Sequence, residues 1–173
     1  MTTATARVYT VEEFAALPEG LLLGHSSWHE VPQSRIDLFA EVTGDHQWIH
    51  TDPAAAAAGP FGTTVAHGFL TLSLLPLLTS EVYDVSGVSA AVNHRVDKVR
   101  FRSPVPAGAR VRARVALLSV RPRPQGFTEA VIRVVIELED GGTACTCEQT
   151  TLYRAGLPRP TVHHHEKGTT HGH

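Results

Sequence analysis

At 173 residues the chain is long enough to bury one substantial core and short for two, so a single domain with terminal extensions is expected. Apolar residues make up 42% and charged residues 18%, a balance that excludes a disordered chain as a whole. The formal charge of −2 gives no overall attraction to nucleic acid or anionic lipid, although Arg110, Arg112, Arg114, Arg121 and Arg123 form a local basic stripe.

Residues 1–20 read as an N-terminal extension with a short helix from Val11 to Leu17, capped by Thr10 and carrying Glu12 and Glu13 in its first turn. Leu21 to Val31 is predicted as a strand or extended segment. Pro32 then opens a helix whose shared face is Ile36, Phe39, Ala40 and Val42, and Gly44 ends it. Thr51 or Asp52 caps a short alanine helix with Pro53 at its first position. From Ala66 to about Val82 the leucines cover nearly every side of a helix, which predicts burial almost all round.

Beyond Gly87 the pattern turns to β: Val88–Arg102, Ala109–Val120, Phe127–Glu139 and Thr143–Tyr153, separated by Pro- and Gly-rich turns. Alternation in "DKVRFRSPV" and "VIRVVIELED" gives the sheet one packed face, and the apolar helix is its partner. Residues 21–155 thus form the domain. Residues 156–173, rich in Pro, Gly and His, are predicted as a disordered tail. Cys145 and Cys147, two apart on one strand, read as reduced core thiols. The longest apolar run, Phe69 to Leu78, is broken by polar residues and Pro76 and is too short to cross a bilayer; with no export signal, the cytoplasm is expected.

One irregular connector, "TGDHQWIHTDP", places the carboxylate Asp45 five residues before the imidazole His50. A base and an acid on one loop suit proton transfer, although alone Asp45 reads as a turn cap and His50 as a satisfied loop histidine. With "GDHQWIH", the lead "PFGTTVAHG", the helix "AHGFLTLSLLP", and "DKVRF" followed by "PVPAG", the chain from Trp28 to Tyr153 resembles the MaoC-like branch of the hotdog fold. It is similar to the (R)-specific enoyl-CoA hydratases. The resemblance implies an α+β hotdog fold, a long central helix wrapped by an antiparallel sheet. It departs at Gln47-Trp48, where many such hydratases read Asn-Pro, and that bears on the shape of the pocket.

What the resemblance implies is reversible hydration of an α,β-unsaturated acyl thioester, carried by coenzyme A or an acyl carrier protein. Asp45 and His50 are the implied catalytic pair and the Gly68 N–H the implied oxyanion donor, near a helix N-terminus and with no side chain in the way. His67, Trp48, Asn93 and His94 are the candidate substrate contacts, with His67 and Trp48 also readable as supports of the loop. Asp52 reads as a cap, and Ser73 as bonding back to its own helix or orienting Asp45.

No cofactor is expected. Metal binding by Asp45, His50 and His67 fits by residue type but matches no zinc spacing, and no Ser or Cys stands in a nucleophile elbow. Edge strands and an apolar helix flank call for a homodimer. Rival readings keep the fold: a thioesterase, an enzyme adding an amine to the unsaturated chain, or a non-catalytic acyl-thioester binder. Arg100, Arg102 and the Arg110–Arg114 stripe are candidates for meeting phosphates or simply a solvated strand face.

Overall fold

A computed structural model describes residues 6–156. The His-rich segment from 157 onward, expected to be a disordered tail, lies outside the described residues.

The chain opens with β1 (Arg7–Thr10) and α1 (Val11–Ala15). Thr10 and Glu13 form a reciprocal cap: the Glu13 N–H donates to Thr10 Oγ1 at 3.1 Å and the Thr10 N–H to Glu13 Oε2 at 2.8 Å. Phe14, only 2% exposed, stacks on Tyr83 at 5.2 Å between centroids. The segment read as an extension therefore shares the main core, and β1 pairs in parallel with β4 (Tyr83–Ser86), a four-residue strand the sequence pattern did not reveal.

Next come β2 (Leu22–His25), β3 (His29–Glu30) and α2 (Gln33–Thr43). Gly44 ends α2 at φ 74, a left-handed conformation that costs glycine little. Ile36 and Ala40 are fully buried, whereas Val42 is 72% exposed. The expectation for Val42 fails because it lies about 120° round the helix from Ile36 at 100° per residue. After α3 (Trp48–Thr51), the Asp52 carboxylate accepts from the N–H groups of Ala54 and Ala55 at 3.0 Å and so caps α4 (Pro53–Ala57).

The central helix is two pieces, α5 (Gly68–Ser73) and α6 (Leu75–Ser80), rather than one long rod. Pro76 has no N–H to offer the carbonyl four residues back, so the ladder breaks at Leu74. Burial is also one-sided: Leu70, Leu74, Leu75 and Leu78 face the core, while Phe69 is 68% and Leu77 40% exposed.

Four long strands follow: β5 (Val88–Phe101), β6 (Arg110–Arg123), β7 (Phe127–Leu138) and β8 (Thr143–Ala155). The main sheet is antiparallel in the order β2-β6-β7-β8-β5, with β3 also on β6. Strict alternation along β6 sends Val111, Ala113, Val115 and Leu117 into the core with Ile132, Val134 and Ile136 of β7, and leaves Arg112 and Arg114 outside on Glu137. Cys145 and Cys147 are free and buried; loss of solvation pushes the Cys147 thiol up to about 12. Among the described residues no helix is long and apolar enough to cross a membrane.

Candidate active site

Three short segments meet at the start of α5. The sharp end of α2 at Gly44 delivers Asp45, the single turn of α3 delivers His50, and the strand-like stretch 64–66 delivers His67 and Gly68. That stretch is clamped on both sides. The Val65 N–H donates to Ile49 O at 3.0 Å, and the Ala66 N–H donates to Val105 O at 2.8 Å. Gln33, in the first turn of α2, ties the pieces together by donating to the His50 carbonyl at 2.7 Å and accepting from the Thr64 hydroxyl.

His50 is 7% exposed, and its Nδ1 lies 2.6 Å from the Val65 carbonyl. A carbonyl only accepts, so Nδ1 carries a hydrogen, and in the neutral ring Nε2 then holds the lone pair. His67, 3% exposed, donates from Nε2 to the main-chain carbonyl of Asp45 at 2.9 Å, and its ring stacks on His50 with centroids 3.7 Å apart. Its Nδ1 is buried with no partner among the described residues. The Asp45 side chain is 56% exposed, with Oδ2 4.0 Å from His67 Nε2.

One donor atom from each of Asp45, His50 and His67 falls within 4.8 Å of the other two. The fold thus assembles a donor set that residue spacing did not show. Its spread is wider than the roughly 3.4 Å edge of a tetrahedral zinc site, and His67 Nε2 is already spent on Asp45. What the trio leaves free is one carboxylate and one ring nitrogen, Nε2 of His50, a pair able to take and return a proton.

A cleft of about 160 Å³ adjoins the trio, lined by Ala66, Gly68, Thr71, Phe101, Val105 and Ala144 among others. Gly68 opens α5, where its N–H has no intrahelical partner. Six residues carry little macrodipole, so Gly68 contributes one local donor rather than a helix field. A side chain there would meet Phe101, since a Cβ would stand 3.1 Å from its ring. Asp45 and His50 are not among the residues lining this cleft within one chain.

The remaining candidates are scattered. Trp48 packs on Gly59, where a Cβ would come within 2.8 Å of its ring, so it supports α3. Asn93 accepts from Gln149 Nε2 at 2.7 Å and His94 sits exposed at a register shift. Both lie roughly 25 Å up β5 from Phe101 at the usual rise per residue, so one chain does not bring them to the cleft. Ser73 Oγ donates to Phe69 O at 2.6 Å, which occupies it within its own helix. Two residues were missed. Thr71 lines the cleft, with its hydroxyl on His67 O at 3.3 Å, and its spacing of four from His67 was the available signal. Gln33 acts across a gap of seventeen residues that no local pattern marks.

An antiparallel sheet packs on a short, broken helix, with an acid and two imidazoles at the helix's start. In comparison with known proteins, residues 2–137 match the MaoC like domain. The chain is 48% identical over 141 residues to 3-hydroxyacyl-thioester dehydratase Z of Mycobacterium tuberculosis, covering 81% of this chain and 93% of that protein. It is 44% identical to nodulation protein N of Rhizobium leguminosarum bv. viciae, covering 70% of this chain and 76% of that one. In fold it resembles the unliganded R-hydratase from Pseudomonas aeruginosa, with TM-score 0.68 and 21% identity over 88% of this chain and 90% of that one. The chain belongs to the MaoC-like dehydratase family.

Proposed function

We propose that the protein catalyses reversible syn hydration of an α,β-unsaturated acyl thioester to an (R)-3-hydroxyacyl thioester. The observation that carries this is the approach of the Asp45 carboxylate to the His50 ring, with His50 Nδ1 engaged by Val65 O so that Nε2 is the nitrogen left to exchange a proton. A water held between the two loses a proton to this pair as its oxygen bonds the β carbon. The pair returns a proton to the α carbon on the same face, and the π electrons of the double bond pass through an enolate. The Gly68 N–H meets the developing negative charge on the thioester oxygen. Dehydration is the same path reversed.

The acyl group is carried on the pantetheine arm of coenzyme A or of a carrier protein, and the protein works as a homodimer. Support for pairing comes from β5, an edge strand bearing exposed Val92 and Val96, and from the exposed Phe69–Phe101 pair beside the cleft. A second copy there covers this exposed apolar surface. The working compartment in this reading is the cytoplasm, in keeping with two unpaired thiols.

The test follows loss of enoyl absorbance from crotonyl-CoA and from a crotonylated carrier protein, with Asp45→Asn beside the natural chain. Hydration by the natural chain and a loss of about 100- to 10,000-fold in kcat for the variant are expected. Release of free thiol in place of hydration indicates a thioesterase, and binding without turnover of either substrate indicates a non-catalytic binder.

A further inference from the structure

The outer face of the sheet holds a second concavity, of about 370 Å³, that the hydration chemistry does not use. Lys98, Arg100, Arg102 and Arg133 line it, with Glu148 as its one acid. Glu148 is shared, with Lys98 Nζ at 3.0 Å and Arg133 at 3.2 Å, so a single carboxylate answers two cations. Both hold its carboxyl below the usual range, Lys98 foremost. Neither Arg100 nor Arg102 makes an ion pair among the described residues.

A bulge in β5 builds this cluster. Asp97 pairs with Glu148 and Arg100 with Thr146, so three steps on β5 span two on β8. Lys98 takes the extra residue at φ 51, a conformation that disfavours side chains. Regular alternation from Asp97 would turn Val99 and Phe101 outward. The added step instead turns Arg100 and Arg102 outward and sends Phe101 in against Gly68. One irregularity thus shapes both the wall of the cleft and the basic site behind it. Arg102, just past the end of β5, lines both.

We propose that this cluster is the subsite for the phosphate at the far end of the substrate's pantetheine arm. The inference rests on the acyl-thioester reading above and adds to it the residues that hold the carrier. Guanidinium groups without carboxylate partners match phosphate oxygens in a two-pronged geometry that lysine alone does not give. An arm whose thioester lies at Gly68 leaves the cleft over Arg102 and turns onto the outer face. Pairing of two copies along the β5 edge uses main-chain groups in the plane of the sheet and leaves that face open.

Coenzyme A without an acyl group is the first probe, titrated calorimetrically into the full chain at two salt concentrations. Arg100→Glu weakens binding at least tenfold, natural-chain affinity falls with salt, and Arg110→Gln, on the same face but outside the site, stays within twofold. The second readout is KM for crotonyl-CoA, a crotonylated carrier protein and crotonyl-pantetheine, which has no phosphate. Arg100→Glu raises KM at least tenfold for a phosphate-bearing substrate and closes its gap to crotonyl-pantetheine. A rise confined to one carrier identifies that carrier as the source of the phosphate. Equal coenzyme A affinity, with equal KM for both carriers, in the natural chain and Arg100→Glu overturns the subsite. Failure of the natural chain to hydrate any of the three substrates overturns the thioester reading instead.

Discussion

His67 lies flat against His50, ring centroids 3.7 Å apart and planes inclined by 27°, while its Nε2–H is held by the main-chain carbonyl of Asp45 at 2.9 Å. One side chain thereby touches both members of the proposed proton-handling pair. His67→Ala is expected to lower kcat about 10- to 100-fold, or about 1.4 to 2.7 kcal/mol of barrier, with KM within threefold. His67→Gln, whose amide can still donate to the Asp45 carbonyl, recovers part of the loss. Steady-state kinetics of the two variants decide it: natural kcat in both removes His67 from any positioning role.

Gly68→Ala separates chemistry from folding. The new methyl meets the Phe101 ring at 3.1 Å, and Phe101 is half exposed and able to yield. Alanine is also the better helix former, so stability should change by no more than about 1 kcal/mol. The same methyl intrudes where a carbonyl oxygen must approach the N–H, and kcat is expected to fall on the order of 100-fold. Melting curves and kinetics on one preparation check both halves; an unimpaired kcat would show that the thioester oxygen points elsewhere.

Val92 and Val96, 49% and 39% exposed on the β5 edge, test the pairing of two copies. Sedimentation equilibrium should give twice the chain mass for the natural protein. Replacing both valines by lysine should give a folded monomer with weakened activity, because buried like charges oppose edge pairing. A natural protein that sediments as a monomer refutes the homodimer.

Acid is expected to act through Glu137. Partial burial pushes its carboxyl up, but hydrogen bonds from Arg112 and Arg114 outweigh this and hold it below the ordinary value. A depressed folded pKa means that the stabilisation is present above the unfolded pKa and is lost as pH falls through the folded one. Glu137→Gln should therefore melt below the natural chain at about pH 7, with the gap closing toward about pH 3. A gap that stays constant across that range would contradict the role assigned to its charge.

The four long strands were legible because alternation runs through long stretches of them between irregularities and their turns are marked by Pro and Gly. Gly44, Asp52 and Thr10 announced their helix ends by local rules that tertiary packing did not override. The central helix was read too long since leucine coverage outweighed Pro76, whose missing donor breaks the ladder wherever it stands. Asp45, His50 and Gly68 were proposed from the loop and its resemblance, but the grip of His67 on Asp45 joins residues twenty-two apart. Gln33 and the bulge at Lys98 depend in the same way on where the backbone returns. Asn93 and His94 stand apart within one chain for a related reason: the long reach of β5 carries them far from the end that touches Gly68.

The parallel pairing of β1 with β4 has a consequence for how the molecule comes into being. On the ribosome the first strand emerges long before Tyr83 exists to receive it, just as β2 and β3 precede their partner β6. Tyr9 and Phe14 must therefore wait as an unclasped apolar arm, and the ring stack on Tyr83 closes late. Amide exchange during refolding should find Val8 to Thr10 among the last groups to gain protection.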